Sequence, residues 1–314
     1  IRALGLILCS VAGAIAPHLL LTSGLAGATA LPGADGSTLD PMVRGTESPL
    51  GQVVAPPPTP LPAGVPAPPL PPLPAGVPAP RLPTPEGIVG LWPAADADIG
   101  IGHLRPRDLA FLNQPDWTSS PYLEANWLQD IALPIYAEPG GEAWGWLVNG
   151  WLVPVGGEPL AIGEDAAFLM LHTYYALFSF PVMEIREDGW FRFQYTPAGT
   201  AWAHRDHLEA GAVALTLETW EDRFLETGWV EFRNHGVSQP LRGNPNREDP
   251  IVTLVGPDSF IEPLAFDGDW MRVRVTQPTD GCTFLPGARS QEGWMRWRNQ
   301  ADGASLIWFP PKGC

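Results

Sequence analysis

The sequence predicts an all-β fold of two small β-barrels, preceded by a disordered proline-rich region. An acidic-glycine turn leads into a strand at Trp190 and again at Trp270, and both strands alternate apolar and polar residues, as half-buried strands do. A second Trp-led strand follows each of them, at Trp202 and at Trp294. All 14 tryptophans lie from Trp92 onward, whereas the prolines are concentrated before position 86.

Residues 1–30 are predicted to be an export signal peptide. Arg2 precedes a long apolar run, and Ala28-Thr29-Ala30 has the small-x-small form of a cleavage site, with cleavage after Ala30. The alternative is an uncleaved anchor helix, because the apolar run is close to membrane-spanning length. The expected location is therefore periplasmic or extracellular, with membrane contact only through this segment if it stays attached.

Residues 31–91 are predicted to be a disordered, proline-rich linker, and 92–130 an irregular lead-in to the barrels. Within the linker, 60–71 (PLPAGVPAPPLP) and 72–83 (PLPAGVPAPRLP) form a tandem repeat that differs only where Arg81 replaces Pro69. This proline spacing favours polyproline II, so we expect a solvated, semi-rigid arm that rises about 3.1 Å per residue. A second possibility is that the Pro-x-x-Pro spacing docks on an aromatic groove of the same protein.

The first barrel is predicted over 131–212. Residues 133–141 begin as a strand and run into a Pro-Gly-Gly turn, and 144–153 indicate a hairpin whose turn is Asn149-Gly150. Residues 166–182 are apolar enough to suggest a membrane span. Their polar side chains and Pro181 fit two buried strands better.

The second barrel is predicted over 213–314 and begins with one helical turn near Trp220. Strands are then expected at 237–245, 251–254 and 260–264, ahead of the Trp270 strand. Closing such short strands into a barrel would remove exposed sheet edges. The sequence therefore predicts that one compact sheet was built twice.

The second copy resembles the bacterial SH3-like domain family. That family has an arginine-rich first strand ending in a Pro turn, an Ile-x-x-Leu strand, a Gly-Asp-Trp-x-x-Val strand and a Gly-Trp-Val strand. Here the matching residues are 241–245, 251–254, 268–273 and 293–295. The first copy, over about 131–208, is more divergent: Ala201 replaces the glycine expected before the Trp, and a long insertion lies between Pro154 and Thr173.

The resemblance implies an exported, non-catalytic binding protein of the bacterial cell envelope that recognises peptidoglycan or an envelope protein and needs no cofactor. One alternative is a structural module that binds another protein of an envelope complex through a barrel edge. The other is a cell-wall hydrolase with its chemistry in 166–195, at His172 or Glu184. The sequence has no nucleophile elbow, metalloprotease motif or phosphate-binding glycine loop, so we expect no enzyme.

Tryptophans at the strand starts are the candidate ligand-binding residues, because indole rings stack on sugar or peptide faces. They are Trp190, Trp202, Trp270, Trp294 and Trp297. The alternative for each ring is a place in the barrel core. Trp294 and Trp297 are three residues apart on one strand, so their side chains should face opposite sides and at most one can be core.

Cysteine and histidine usage gives two further expectations. Cys282 and Cys314 are predicted to form a disulfide, since an even pair in an exported chain favours one; two free thiols are the alternative. Two imidazoles and two carboxylates occur within 204–209 and could hold a divalent ion. A charged turn explains them more simply, so no metal site is predicted.

The formal charge of −16 argues against nucleic acid as a partner, because phosphates are held by clustered Lys and Arg. It also disfavours docking on anionic lipid. The acidic balance suggests a ligand that carries amines, or one bound through apolar and hydrogen-bonded contacts.

Overall fold

Strands predominate in this protein, and the all-β class predicted above is confirmed for the residues that the structure describes. The structure is a computed structural model that describes residues 68–94, 96–110 and 124–309, all within the unit Pro60–Cys314. The predicted signal peptide with its site at Ala30, residues 31–67 of the predicted linker, and Cys314 lie outside the described residues. No helix formed by the described residues has the length and apolar character that a membrane crossing requires.

The regular elements are named in chain order. Before the helix come β1 (Ile88–Val89), β2 (Gly102–Pro106), β3 (Ala132–Tyr136), β4 (Ala143–Val148), β5 (Trp151–Pro154), β6 (Leu160–Ala161), β7 (Phe168–Leu169), β8 (Leu171–Tyr174), β9 (Leu177–Ile185), β10 (Trp190–Gln194), β11 (Thr200–His204) and β12 (Leu215–Thr219). The helix α1 spans Trp220–Thr227. After it come β13 (Glu231–Phe232), β14 (Gln239–Arg242), β15 (Ile251–Val255), β16 (Phe260–Asp267), β17 (Trp270–Asp280), β18 (Thr283–Arg296) and β19 (Ile307–Trp308).

Two larger sheets dominate the described residues. The first has the order β12-β2-β9-β10-β11-β3-β4-β5-β6, with β8 paired to β9, and the second has the order β15-β14-β18-β17-β16. Smaller pairs are formed by β1 with β7 and by β13 with β19. Within the described strands, neither larger sheet closes, because the first and last strands of each order are not paired with each other.

The two sheets share one arrangement of five strands. The order β9-β10-β11-β3-β4 in the first sheet corresponds to β16-β17-β18-β14-β15 in the second, and every pairing in both runs is antiparallel. In each run, the first strand along the chain pairs with the last one: β3 pairs with β11, and β14 pairs with β18. Trp190 starts β10 and Trp270 starts β17, as the sequence pattern predicts.

The insertion between β4 and β9 contains further strands of the first copy. Asn149 and Gly150, with φ of 55° and 79°, form the turn between β4 and β5, so the predicted Asn-Gly hairpin is confirmed. The apolar run 166–182 contains β7, β8 and the start of β9. Most of these residues are buried, so the prediction of buried strands is confirmed, with three strands where two were expected.

Strands β2 and β12 join the first sheet although they lie outside the range predicted for the first barrel (131–212). They fall in ranges assigned to an irregular lead-in (92–130) and to the second barrel (213–314), yet they pair with each other and β2 pairs with β9. Both belong to the first sheet because Leu104 and Leu215 are buried in its core. His103 and Arg105 interrupt the apolar pattern of β2, which hides this strand in the sequence.

Helix α1 covers one end of the second core and is longer than the single turn that was expected. The Thr219 hydroxyl caps its N-terminus by accepting a hydrogen bond from the amide of Asp222 at 3.1 Å. Gly228, with a φ of 75°, ends it. Trp220 and Phe224, four residues apart, lie on one side of the helix and are fully buried in the second core.

The proline-rich segment differs most from its prediction. Residues 68–91, expected to be part of a disordered linker, lie against the first sheet, and β1 pairs with β7 in parallel. The segment is held because proline carbonyls still accept hydrogen bonds although proline nitrogens cannot donate them. Trp151 Nε1 donates to the carbonyl of Ala79 at 3.0 Å. The His207 ring donates through Nε2 to the carbonyl of Pro68, also at 3.0 Å.

Candidate functional site

The outward face of the second sheet carries the candidate site. Along β17, Met271 and Val273 are buried, whereas Trp270 and Arg272 point away from the core. This alternation follows from the pleat of a strand with one buried face. The outward face of β17 is therefore built from indole and guanidinium groups.

Strand β18 continues this face. Trp270 lies opposite Arg296, and Trp294 lies between Arg272 on β17 and Arg242 on β14. Trp294 is partly exposed, as are the neighbouring arginines Arg242 and Arg296. Two tryptophans and three arginines thus alternate across three adjacent strands.

Trp297 lies on the opposite side of the sheet. Its side chain is 0% exposed, and its indole Nε1 donates to the carbonyl of Gly268 at 2.8 Å. The expectation that Trp294 and Trp297 face opposite sides is confirmed. Trp297 is part of the core, which leaves Trp294 as the surface residue of the two.

An open pocket of about 420 Å³ lies beside Trp270 on this face; it is lined by Gln239, Pro240, Arg242, Arg247, Trp270 and Arg296. The Arg296 guanidinium lies 4.6 Å from the centroid of the Trp270 ring, and its Nη1 donates to Asp269 Oδ2 at 3.2 Å. Arg242 donates to the backbone carbonyl of Asp249. These contacts hold both guanidinium groups at the pocket.

The lining selects for a particular ligand chemistry. Arginine binds carboxylates through a planar fork of N–H donors, and an indole face stacks on apolar or sugar surfaces. Three arginines line the pocket, one of them paired with Asp269, and no acidic residue lines it directly. The acidic balance of the whole chain suggested an amine-bearing ligand, but the local charge of the pocket favours a carboxylate-bearing one.

The equivalent position in the first sheet is that of Trp190, whose ring is buried. Trp190 lies opposite His204, as Trp270 lies opposite Arg296, and Tyr136 takes the place of Arg242 beside Trp202. The Trp190 ring packs edge-on against Tyr136 at 5.0 Å and against His204 at 5.2 Å between ring centroids. Trp190 is only 4% exposed, so it is a core residue rather than a ligand-binding one.

Trp202 is the counterpart of Trp294 and is partly exposed on the first sheet. The guanidinium groups of Arg186 and Arg192 each lie 5.9 Å from its ring centroid. Of the five tryptophans proposed as ligand-binding, the structure places Trp270 and Trp294 together on the second sheet and Trp202 on the first. Trp190 and Trp297 lie in the cores.

The cluster at 204–209 packs against protein groups. His204 Nε2 donates to the Asp188 carbonyl at 3.0 Å, and its Nδ1 accepts from the Asp206 amide at 3.3 Å. Burial lowers the pKa of His207, which favours the neutral ring. Within the described ranges, no group of three or more His, Cys, Asp or Glu residues is placed to hold a metal ion.

A buried ionic network lies where β2, β8 and β12 meet α1, and the sequence analysis missed it. Glu218 Oε2 lies 2.7 Å from both His103 Nε2 and Arg105 Nε, and the Tyr174 hydroxyl lies 2.9 Å from the same oxygen. The guanidinium of Arg223 stacks 3.5 Å from the centroid of the Tyr174 ring. No local motif predicts this network, because its members come from four separate elements.

The network holds its members in fixed protonation states. Burial lowers the pKa of His103 despite the neighbouring carboxylate, which favours the neutral ring. Burial alone would raise the pKa of Glu218, but its contacts with His103 and with the charged Arg105 outweigh burial and hold that pKa far below its usual value. Polar and ionic contacts therefore tie β2 to β12, and the stacking of Arg223 on Tyr174 joins α1 to β8.

Cys282 is disulfide-bonded. The other two cysteines of the chain, Cys9 and Cys314, lie outside the described residues. The pairing of Cys282 with Cys314 therefore stays a prediction.

Comparison with known proteins adds no assignment: the chain matches no protein-family model and has no significant match among curated proteins.

Proposed function

We propose that this protein is an exported, non-catalytic binding protein of the bacterial cell envelope, and that its second sheet binds peptidoglycan. The observation that carries the proposal is the open pocket beside Trp270, where arginines and an indole ring converge. Peptidoglycan offers carboxylates on its stem peptides and apolar faces on its sugars. An indole flanked by guanidinium groups complements both.

Both sheets are proposed to be SH3-like modules, with the first one divergent. The repeated five-strand order supports a common origin for the two copies. Two positions of the resemblance support this: Trp270 is the first residue of β17 and Ile251 the first of β15. Because one such scaffold hosts many tasks, the ligand is argued from the pocket rather than from the fold.

Further observations support the proposed export of the protein and the proposed absence of catalysis. Disulfides persist in oxidising compartments, and Cys282 is in a disulfide, which also removes it as a nucleophile. In the hydrolase alternative the candidates were His172 and Glu184. His172 Nε2 lies 3.1 Å from the Tyr175 carbonyl, and Glu184 pairs with Arg192 at 3.4 Å, so both side chains make structural contacts.

Co-sedimentation with purified, protein-free sacculi tests the proposal. The wild-type protein should pellet with the sacculi, and Trp270→Ala should weaken retention by about tenfold, equivalent to about 1.4 kcal/mol. Trp92→Ala is the matched control, because Trp92 is 59% exposed and lies outside the pocket. Wild-type protein that stays in the supernatant, or equal retention of the two variants, would contradict the proposal.

A second candidate function is supported by the edge of the second sheet. Strand β15 is an edge strand of the second sheet. Three of its apolar residues are exposed: Ile251 by 53%, Val252 by 50% and Leu254 by 59%. An exposed apolar edge strand can pair with a strand of another protein. Retention that requires protein-bearing envelopes, and that is lost in Val252→Lys but kept in Trp270→Ala, would favour this function over peptidoglycan binding.

A further inference from the structure

The second proline-rich repeat lies in a groove of the first sheet whose polar groups match its backbone. Trp151 Nε1 donates to the Ala79 carbonyl at 3.0 Å, and Asn149 Nδ2 donates to the Pro78 carbonyl at 3.4 Å. In return, the Arg81 amide donates to the Asn149 carbonyl at 3.0 Å. The groove thus binds two backbone carbonyls of the repeat, those of Pro78 and Ala79, and the backbone amide of Arg81.

The exposure pattern shows that the segment uses one face. Pro68, Pro71, Pro74 and Val77 are partly buried, and the residues between them are exposed. A period of three is that of polyproline II. A turn at Ala75 and Gly76, where Gly76 has a φ of 84°, interrupts the extended segment just before Val77. Val77 then packs against a buried cluster made by Trp146, Val148 and Val153.

Arg81 distinguishes the two repeats. Its guanidinium lies 5.0 Å from the centroid of the Trp151 ring and forms an ion pair with Glu164. In the first repeat the equivalent residue is Pro69, which has neither a backbone N–H nor a charge. The first repeat therefore cannot reproduce these contacts in the same register.

The groove backbone is shaped for close approach. Gly150 has a φ of 79°, and a Cβ at this position would overlap the Arg81 carbonyl oxygen. At the next contact along the segment, the Thr84 amide donates to the Ile162 carbonyl at 3.3 Å, and a Cβ on Gly163 would overlap the Thr84 carbonyl. Two glycines thus admit the backbone of the segment where a side chain would exclude it.

We propose that this groove is a sequence-specific binding site for arginine-bearing polyproline II peptides. Its ligand is the motif Val-Pro-Ala-Pro-Arg-Leu-Pro, supplied in cis by residues 77–83. The same motif supplied in trans competes for the groove and displaces the cis segment. Tethering keeps the cis segment at a high effective concentration, so a free peptide binds well only when the cis segment is weakened.

A peptide titration on the full chain tests this site. Arg81→Pro makes the second repeat identical to the first and removes three contacts of the cis segment. A fluorescent VPAPRLP peptide should bind this variant about tenfold more tightly than it binds the wild type. The matched peptide VPAPPLP should bind neither, and adding Trp151→Ala to the variant should abolish binding of VPAPRLP. Equal binding of both peptides, or no binding to the folded variant, would overturn the proposal.

Hydrogen exchange on the wild-type protein provides a measurement that does not depend on the variant. The Arg81 amide should exchange slowly because it is bonded to the Asn149 carbonyl. Excess VPAPRLP should speed its exchange by displacing the cis segment, whereas excess VPAPPLP should not. Exchange at Arg81 that is unchanged by VPAPRLP would overturn the proposal.

Discussion

Trp270 lies directly opposite Arg296 in the second sheet, with the guanidinium 4.6 Å from the centroid of the indole ring. Its counterpart in the first sheet, Trp190, lies opposite His204 and packs edge-on against it. The same strand register therefore produces a closed aromatic cluster in one copy and an open, basic pocket in the other. The difference is made by side chains rather than by the backbone arrangement.

Arg296→Ala should weaken binding to sacculi without unfolding the protein. Hydrogen bonds to charged groups contribute about 1.5–3 kcal/mol, so we expect a loss of about tenfold or more. Arg274→Ala is the matched control, because Arg274 lies on the same face of the second sheet as Arg296. It pairs with Glu262 and Glu292 outside the pocket. Equal loss in the two variants in a sedimentation assay would show that only general charge matters.

Trp294, near the end of β18, and Trp297, just after it, should differ in their effect on stability. Trp297→Ala removes a fully buried ring and should lower the free energy of unfolding by about 3–5 kcal/mol. Trp294→Ala removes a partly exposed ring and should cost about 1 kcal/mol. Urea unfolding measures both changes, and a larger cost for Trp294→Ala would contradict the burial described here.

Acid should destabilise the protein through the buried network. Unfolded His103 takes up a proton below about pH 6.5, whereas its lowered pKa keeps the folded ring neutral to lower pH. Glu218 acts in the same direction below about pH 4.5, because its folded pKa is also lowered. The melting temperature should therefore fall as pH drops from 7 to 4, with a shallower fall between pH 7 and 5 in His103→Gln. A flat wild-type profile would contradict this.

Removing the carboxylate of the network should be costly. Glu218→Ala leaves the largely buried Arg105 without its 2.7 Å partner, and breaking such a buried pair costs about 3–5 kcal/mol. Glu209→Ala is the control, because it breaks an exposed pair with Arg107 that contributes at most about 1 kcal/mol. Chemical unfolding that gives equal costs for the two variants would contradict the role assigned to the network.

Two turn glycines separate backbone strain from contact with the proline-rich segment. Gly150 and Gly140 both have positive φ, of 79° and 76°. A Cβ on Gly140 meets nothing within 4 Å, whereas a Cβ on Gly150 overlaps Arg81. Gly150→Ala should therefore destabilise more than Gly140→Ala in thermal unfolding, and it alone should speed exchange of the Arg81 amide. Similar behaviour of the two variants would show that the segment does not depend on this contact.

Local patterns were sufficient to predict much of the fold. The Asp-Gly and Asn-Gly turns, the alternating Trp strands and the buried strands of 166–182 are set by residues close together in the chain. Strands β2 and β12 were not predicted because their pairing depends on Glu218 meeting His103, 115 positions away in sequence. Charged side chains that are buried through such distant partners cannot be recognised from their neighbours.

The site was predicted in part, for a similar reason. The period-two rule separates Trp294 from Trp297, but it cannot tell Trp190 from Trp270, because both occupy the same position of a repeated hairpin. The difference depends on residues of another strand: Tyr136 packs against Trp190, whereas Arg242 lines the pocket beside Trp270. The docked proline-rich segment likewise depends on Asn149 and Trp151, far from the repeat itself.

The most direct test uses the indole N–H resonances of Trp190 and Trp270 in an NMR titration with a soluble, carboxylate-bearing peptidoglycan fragment. The open pocket predicts that the Trp270 resonance shifts with saturation while that of the closed Trp190 stays in place. A shift of Trp190 without Trp270, or no shift of either resonance at saturating fragment, would contradict the account.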